Sequence, residues 1–598
     1  MQTEDSEVGG EIRTDLVKDA FEAIRARARY LQNWQELYKW SILAGLVGTL
    51  GGFGAVLFSY TLDNFIIWFD ALADVLPDAR LIAIIPAIGG LLVGIIRYFW
   101  VPEQFLSPCA TDAMIDVIHV DKGLSRWRTP FATILVASIT LASGGSAGRE
   151  CPTALIGTGF GAIVARMVQR LKLDKVLHFT LTKEDVRTLA ICGAAAGLGA
   201  VFRAPIGSAL FATSVLYIYG MEYDRILPAM ISSLTSFLIF SVFYGFESLF
   251  QAPFVWEMNF FDLALVLIIG VLASLVGLLY LKVFYATFRR FQAWKIPTWA
   301  KPAAGGLLMG IMVLFIPRVW GMGYETIQDV IDYKLSLGLL AVLILGKMLA
   351  SSFSIGSGGA GGVIAPSLFI GAALGGAVGD VAMRMFPSAT AHPTLYVIAG
   401  MGALYASIGK VPLSTAIILC ETTRNFTMIV PLIIATTAGF LASGSHTIYE
   451  SQHADATREQ ADILSRVPVE QVMVADPIVA RTDMSVIGLL RLVGTTRHHG
   501  FPVVDAHDKL AGVISWKDAQ NVPYQEREDR IVATVMTTPP ITMRPYESAR
   551  RALDLIEDNH IGRVVVVDAL SPDTVVGIVT KEDLIQAYAT RIHAERSA

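Results

Sequence analysis

Charged residues are scarce in this chain of 598 residues. Asp, Glu, Lys and Arg together make up 17% of it, whereas a soluble globular domain carries about 25%. Hydrophobic residues reach 54%, and the mean hydropathy is +0.54. The net charge of −5 comes without a basic stripe, so nothing in the sequence favours nucleic acid as a partner. This lack of charge argues against a soluble protein and indicates one embedded in a lipid bilayer.

Cysteine is also rare, and no cleavable signal peptide is apparent. No C-x-x-C pair occurs, so we predict neither a metal site nor disulfides, and we expect Cys151 to be a small packing residue. Residues 1–34 are polar and lack an apolar core followed by a cleavage site, so we expect the N-terminus to stay in the cytoplasm. The four cysteines are Cys109, Cys151, Cys192 and Cys420.

Several apolar runs are long enough to span a bilayer as helices. Shorter runs near glycine-proline motifs favour re-entrant helices that line a cavity. Basic residues precede the first long run, which favours a cytoplasmic N-terminus. Within the segment 1–36, apolar residues at helical spacing predict an amphipathic helix. The long runs are Ile42 to Leu62, Leu81 to Val101, Leu227 to Tyr244, Leu263 to Tyr285 and Leu335 to Phe353.

The first motif of interest is Gly148-Arg149-Glu150-Cys151-Pro152. Proline suits the first turn of a helix, so the motif predicts a helix that begins at Pro152. The preceding glycines let backbone N–H groups converge at the positive end of that helix, which is an anion site without lysines. Glu150 is then a built-in occupant that can act as a gate. The alternative is a glutamate that caps the helix and pairs with Arg149 on a wet surface.

A second motif, Gly361-Gly362-Val363-Ile364-Ala365-Pro366, repeats the same glycine-to-proline pattern in the second half of the chain. Each motif is followed by a related segment, Gly193 to Pro205 in the first half and Gly400 to Pro412 in the second. Paired interrupted apolar segments are typical of transporter repeats whose broken helices meet at the membrane midplane. We therefore predict an all-α polytopic membrane protein with two inverted-topology repeats and broken or re-entrant helices.

At these motifs the chain resembles the CLC family of chloride channels and chloride/proton antiporters. The resemblance covers roughly Tyr38 to Ser451 and predicts an anion-transport domain over 37–451. It implies that Glu150 is the gating glutamate and that the remaining motif residues bind the anion. The implied anion-binding residues are Ser107, Gly148, Arg149, Glu150, Gly362, Val363, Ile364 and Tyr449.

Three positions depart from the family pattern. The first anion motif, G-S-G-I-P in the family, keeps only its serine in Leu106-Ser107-Pro108-Cys109-Ala110, and Pro108 removes an N–H that could face the ion. Cys151 replaces the second glycine of the gating motif, and Ile364 replaces the phenylalanine of the third motif. These changes predict an altered central site and a looser pore at the gate.

A further departure concerns protons. Antiporters of the family carry a second glutamate at the end of the helix after Pro205, where this chain has Ser214-Val215. From Ile206 to Met221 no acid or base other than tyrosine occurs, so Val215 marks a missing proton-relay position. The resemblance then implies a passive chloride channel, gated by voltage or pH. The alternatives are a proton-coupled chloride antiporter, with protons moving through water or Glu421, and a CBS-regulated cation transporter.

The character of the chain changes after Ser451 to a charged, soluble pattern. A linker over 452–465 precedes two α/β repeats at 466–525 and 526–592, which resemble a tandem pair of cytosolic CBS domains. In that family the G-h-[ST]-x-x-D element binds adenosine, which implies ATP, ADP or AMP as a ligand. The candidate nucleotide residues are Ser515, Asp518, Thr580 and Asp583. The alternative is that these residues only cap the helices that follow.

Together these features predict a homodimeric, multi-pass integral membrane protein. We expect each subunit to carry its own anion path, in a cell inner or plasma membrane, with both termini in the cytoplasm. Chloride is the expected transported ion, no cofactor is required, and no enzymatic reaction is predicted because no catalytic constellation is visible in the apolar segments.

Overall fold

The computed structural model describes residues 5–101, 107–171, 181–252, 259–387, 393–455, 464, 467–559, 561–569 and 571–588. Over residues 5–35, 79 and 455 it describes the backbone alone. The chain divides into two compact units, Met1–Ala454 and Asp455–Ala598, and each is described separately below.

The first unit is helical, and the α-helices that the structure describes in it fall into two consecutive sets of eight. The first set comprises α1 (Asp5–Asp74), α2 (Ile85–Trp100), α3 (Ala110–His119), α4 (Thr129–Ala142), α5 (Glu150–Arg170), α6 (Lys183–Phe202), α7 (Pro205–Ser214) and α8 (Ile226–Tyr244). The second comprises α9 (Phe260–Ala293), α10 (Lys301–Phe315), α11 (Tyr324–Ile331), α12 (Leu337–Gly356), α13 (Ile364–Met385), α14 (Thr394–Gly409), α15 (Pro412–Thr423) and α16 (Ile429–Ala442). Short strands β1 (Tyr217–Tyr219) and β2 (His453–Asp455) complete this part.

Proline and backbone geometry place the helix breaks at the same points in both sets. Helix α6 ends at Arg203 in the left-handed conformation (φ 54°), and α7 then begins at Pro205. Helix α14 ends at Lys410 in the same conformation (φ 61°), and α15 begins at Pro412. A residue in the left-handed conformation ends a helix, and proline favours the first position of the next one. The helices of the two halves are therefore interrupted at equivalent positions. This confirms the predicted pair of repeats with broken helices.

The two helices that follow each glycine-rich motif, α5 with α6 and α13 with α14, contact each other at glycine residues. A methyl group on Gly193 of α6 would overlap the backbone of Gly157 on α5, and a methyl group on Gly400 of α14 would overlap Gly371 on α13. Helices in a bilayer gain little from burying apolar surface against one another, so close backbone approach at small residues supplies the attraction. Close contact between glycine backbones therefore holds the equivalent helix pair together in each repeat.

The five predicted long spans coincide with helices, and within the described ranges nine helices are long and apolar enough to cross a membrane. One expectation was wrong in detail. The helix predicted to begin at Pro152 begins at Glu150, because no N–H of the first helical turn needs an intrahelical acceptor and proline is tolerated there. Helices α5 and α13, which begin at the two motifs, have 21 and 22 residues. Short helices occur after them, as α7 and α15.

The N-terminal helix predicted within 1–36 is present as the first part of α1, which continues into the first span without a break. Its side chains lie outside the described residues, so its amphipathic character stays a prediction.

The second unit contains two small sheets and three helices that the structure bounds completely. One sheet has the order β3-β9-β8-β7 and the other β4-β5-β6. The strands are β3 (Val474–Ala475), β4 (Ala480–Arg481), β5 (Gly500–Val504), β6 (Leu510–Ser515), β7 (Thr542–Met543), β8 (Arg563–Val567) and β9 (Val575–Thr580). The helices are α17 (Val486–Thr496), α18 (Trp516–Gln520) and α19 (Ala549–Asp558), and a further helical stretch covers 581–588.

The two repeats of this unit exchange their leading segments. Strand β3, which precedes the first repeat's sheet, pairs antiparallel with β9 of the second repeat. In return, Val532 packs in the core of the first repeat, and Thr537 bridges to Val513 of β6. Each repeat therefore completes its sheet or core with chain from the other, as the predicted pairing of repeats requires.

We expect Gly193→Ala to destabilise the first unit by about 2 kcal/mol, because the added methyl group overlaps the α5 backbone and overpacking typically costs about 1–3 kcal/mol. The measurement is the thermal unfolding midpoint of the purified protein in detergent. Gly45→Ala is the matched control, since a methyl group there would meet nothing within 4 Å. Equal midpoints for the two variants would contradict the glycine packing.

Candidate functional site

The starts of α5 and α13 are joined through their backbones. Gly148 N donates to Gly362 O at 2.8 Å, and Gly362 N donates to Gly148 O at 2.9 Å, which makes an antiparallel bridge. A side chain on either glycine would overlap neighbouring atoms, so both positions need glycine. The bridge brings the positive ends of two helices together in the interior of the unit, as the repeated motifs predicted.

Glu150 is the first residue of α5 and is fully buried at this junction. Its side chain lies over Gly148, beside the first turn of α13, because a Cβ on Gly148 would meet both Glu150 Oε2 and the backbone N of Ala365. Oε1 accepts a hydrogen bond from the Tyr324 hydroxyl, whereas Oε2 has no hydrogen-bond partner. A carboxylate therefore occupies the position between the helix starts, which rules out the wet-surface alternative.

Tyr324, which sequence reasoning missed, opens α11 and fixes the Glu150 carboxylate. Its ring packs edge-on against Phe250 at 5.8 Å between centroids, and the Arg149 guanidinium lies 5.4 Å from the ring centre. Arg149 thus faces an aromatic ring close to Glu150 and is not an exposed surface residue. A tyrosine one residue after Gly323, at the start of an eight-residue helix, carries no sequence signal that points to this contact.

The loop before Tyr324 is anchored by a buried lysine. Lys347 of α12 is fully buried, and its ammonium donates to the carbonyl groups of Val319 at 3.2 Å and Gly321 at 2.8 Å. The ammonium also lies 4.9 Å from the ring centre of Phe369. These two hydrogen bonds hold the segment that positions Tyr324, and no local sequence pattern predicts them.

The amide groups at the start of α13 face a sulfur atom. A methyl group on Gly362 would overlap Cys151 Sγ, and the backbone N–H groups of Val363 and Ile364 are directed at the same thiol. Cys151 is fully buried. The structure thus brings Gly148, Glu150, Gly362, Val363 and Ile364 together as predicted, with the Cys151 thiol seated among the second set of amides.

Tyr449 and Ser107 have other partners. Tyr449 is fully buried, its hydroxyl pairs with that of Tyr405 at 2.9 Å, and it lies within electrostatic range of Cys151. The Ser107 hydroxyl donates to Asp116 Oδ2 at 3.3 Å. An acid beside Ser107 disfavours an anion there, so the predicted role of Ser107 has weaker geometric support than that of Tyr449.

Val215, which the resemblance marks as the position of a missing proton relay, is fully buried at the end of α7. Its carbonyl accepts from Gln452 Nε2 at 2.8 Å. A different acid, Asp112 in the first turn of α3, is fully buried and accepts from Ser451 N at 3.1 Å and Cys109 Sγ at 3.3 Å. The family pattern predicts such an acid only on α7, so this acid on α3 was not predicted.

Glu421, the suggested alternative proton route, caps α7. Its two carboxylate oxygens accept from Ile206 N at 3.1 Å and Gly207 N at 2.7 Å. Because these amides belong to the first turn of α7, the carboxylate satisfies donors that would otherwise lack a partner. The contact gives Glu421 a structural role between the repeats.

In the second unit, the candidate nucleotide residues form capping boxes. Asp518 Oδ2 accepts from Ser515 N at 2.9 Å and Ser515 Oγ at 2.7 Å, and Asp583 makes the same pair of contacts with Thr580 at 2.9 and 2.7 Å. These contacts are those of the capping alternative. Nearby, Arg563 Nη1 donates to Gly500 O at 2.8 Å across the two repeats, and burial lowers the pKa of its guanidinium.

Two helix starts that hold a buried acid, inside a bundle of apolar helices arranged as two repeats, define a membrane transport protein. A family model described as voltage gated chloride channel matches residues 104–444, and the CBS domain model matches residues 469–522 and 532–590. The chain belongs to the voltage-gated chloride channel (CLC) family and carries a tandem pair of CBS domains. It is thus a multi-pass membrane protein of a family of ion channels and transporters, which favours the anion alternatives over a cation transporter.

Individual relatives agree with this assignment. The putative chloride channel protein ClcB-like of Ralstonia nicotianae is 28% identical over 440 residues, which cover 71% of this chain and 98% of that protein. The voltage-gated ClC-type chloride channel ClcB of Escherichia coli is 29% identical over 411 residues, 67% of this chain and 94% of that protein. The crystal structure of a eukaryotic CLC transporter has the same fold, with a TM-score of 0.59 and 19% identity over 92% of this chain and 98% of its own.

We expect Tyr324→Phe to raise chloride efflux from proteoliposomes about tenfold, because a hydrogen bond to a charged group contributes about 1.5–3 kcal/mol and its loss frees Glu150. Tyr333→Phe is the matched control, since its hydroxyl donates to Pro393 O at 3.1 Å and not to Glu150. Efflux equal to wild type in Tyr324→Phe would show that Tyr324 does not hold the gate.

Proposed function

We propose that this protein conducts chloride passively along a pathway that Glu150 closes. The observation that carries the proposal is the buried Glu150 carboxylate between the starts of α5 and α13, with one oxygen lacking a partner. A negative group in that position stands where a free anion would be stabilised by the amides of two helix starts. Glu150 therefore competes with the ion that it resembles in charge.

The pathway has to replace the water of the anion. A bare ion in a hydrocarbon interior costs on the order of tens of kcal/mol. The amides of Val363 and Ile364, the paired helix ends and the hydroxyl of Tyr449 are the groups that we propose for this replacement. Glu150 moves aside when it is protonated or out-competed, since either event removes the attraction that holds its carboxylate. Voltage and pH are thus both suitable stimuli.

The absence of an inner relay supports passive conduction. Helix α7 presents a buried valine at position 215, and Glu421 is engaged in capping that same helix. Neither position offers a free acid that could exchange protons with the far end of the pathway.

Asp112 supports a second candidate, a proton-coupled chloride antiporter. It is a fully buried carboxylate on α3, and its partner Cys109 lies within electrostatic range of Cys151 beside the gate. The groups that face Asp112 are Cys109, Asp116, Ser451 and the Tyr285 hydroxyl. In this candidate, the buried acid at the start of α3 takes the protons that α7 cannot.

The deciding measurement is the reversal potential of purified protein in bilayers under crossed chloride and pH gradients. We expect the potential to follow chloride alone. In Glu150→Gln, we expect flux that stays open and is nearly independent of pH, whereas wild-type flux rises with acidity because protonation releases Glu150. A wild-type pH response that persists in Glu150→Gln would contradict the gate.

Asp112→Asn separates the two candidates in the same measurement. If a chloride gradient alone drives protons in the wild type and this movement is lost in Asp112→Asn, coupled exchange replaces the passive proposal. If chloride drives no proton movement in either protein, the passive proposal stands.

We also propose that the CBS pair binds an adenine nucleotide that biases the gate. The support is the match of both repeats to the CBS family and the repeated Ser515/Asp518 and Thr580/Asp583 pairs. The capping contacts use one oxygen of each aspartate, so the other stays open to ribose hydroxyls. Arg563, at the junction of the repeats, adds a positive charge suited to phosphate.

We expect Asp583→Ala to weaken AMP, ADP or ATP binding to the full-length protein more than about tenfold, since a hydrogen bond to a charged group contributes about 1.5–3 kcal/mol. Isothermal calorimetry measures the affinity. Asp573→Ala is the control, because its surface carboxylate pairs only with Lys509 at 3.7 Å among the ion pairs described. Failure of the wild type to bind any of the three nucleotides would refute the proposal.

The homodimer, with one anion path in each subunit, is likewise a proposal, as are the inner or plasma membrane and the cytoplasmic position of both termini. Their support is the resemblance to the family and the basic residues before the first span.

A further inference from the structure

We propose that the Cys151 thiol occupies the anion position at the start of α13 and thereby lowers chloride affinity and limits which anions fit. The inference rests on the proposed anion pathway and adds a specificity-determining residue to it. From the sequence alone, Cys151 is expected to be a small packing residue.

The geometry of the second amide cluster carries this inference. Cys151 Sγ lies over Gly362, and the N–H groups of Val363 and Ile364 are directed at it. These are the two amides expected to hold an anion. A neutral thiol is a weak acceptor, so the amides are poorly satisfied while it stays there. Chloride, which carries a full charge, accepts more strongly and can displace the thiol.

Two polar groups next to these amides independently indicate that a ligand binds at this position. The Thr111 hydroxyl is fully buried, faces the thiol and has no other hydrogen-bond partner. Glu150 Oε2 is fully buried at the same junction and also lacks a partner. Buried polar atoms are nearly always satisfied, so unsatisfied atoms around one cluster of amides mark a place where a ligand binds.

The other repeat supplies an internal comparison. Ala365 holds the position equivalent to Cys151, one residue before the proline of its motif, and it faces Gly148 as Cys151 faces Gly362. An alanine is therefore accommodated at this point of the fold. The sulfur is an addition in one repeat only, and it projects towards the amides.

The test is chloride affinity measured by isothermal calorimetry on the full-length protein in detergent. We expect Cys151→Ala to bind chloride about three- to tenfold more tightly than wild type, since a typical hydrogen bond contributes about 0.5–1.5 kcal/mol and the freed amides bond the ion. Bromide and nitrate should gain at least as much, because the truncation enlarges the position. Cys192→Ala is the matched control, a fully buried cysteine on α6 away from the helix starts.

Cys151→Gly provides a second truncation in case the alanine variant folds poorly, and size-exclusion profiles identify folded samples. If a folded truncation variant binds chloride no more tightly than wild type and Cys192→Ala, the inference is overturned. Wild-type chloride uptake into proteoliposomes is measured alongside. Its absence would refute the proposed function itself, whereas normal uptake with unchanged affinities would refute only the role of the thiol.

Discussion

The backbone bridge between Gly148 and Gly362 is the constraint on which the site depends. Two hydrogen bonds of 2.8 and 2.9 Å fix the starts of α5 and α13 against each other. Without that pairing, the two sets of free amides would face different parts of the interior, and a single anion or carboxylate could not interact with both. The bridge also explains why both glycines are required, since each is covered by atoms of the opposite or the same motif.

Buried cations support the junction from two sides. Lys347 binds the carbonyl groups before Tyr324, and Arg97 donates to Gly358 O at 2.5 Å in the loop that leads into α13. Glycine-rich loops expose carbonyl groups as well as amides, and buried carbonyl groups need donors. With cations on the carbonyl groups, the amides of the same loops are left to face an anion.

Local chemistry explains which features could be predicted from the sequence. Proline at the first turn and glycine before it act within a few residues, so the helix starts near Glu150 and Ile364 and the repeated breaks at Pro205 and Pro412 were foreseeable. The start of α5 was misplaced by two residues, because proline is tolerated throughout a first turn. The family resemblance then correctly indicated the class of protein and the CBS pair.

Contacts between distant parts of the chain account for what the sequence could not reveal. Tyr324 meets Glu150 across 174 positions, and Ser451 meets Asp112 across 339. Neither contact has a local pattern, since a tyrosine after a glycine or an aspartate in a first helical turn is common in any helical protein. The seating of Cys151 among the α13 amides is of the same kind, because it depends on how the two repeats dock.

Because the CBS repeats exchange segments, neither repeat forms a complete folding unit without the other. Strand β3 belongs to the first repeat by position but completes the sheet of the second, while Val532 fills the core of the first. A gene fragment cut between the repeats would leave one half with an open sheet edge and the other with a hole in its core. Duplication, loss or transplantation of this module should therefore involve both repeats together, never one alone.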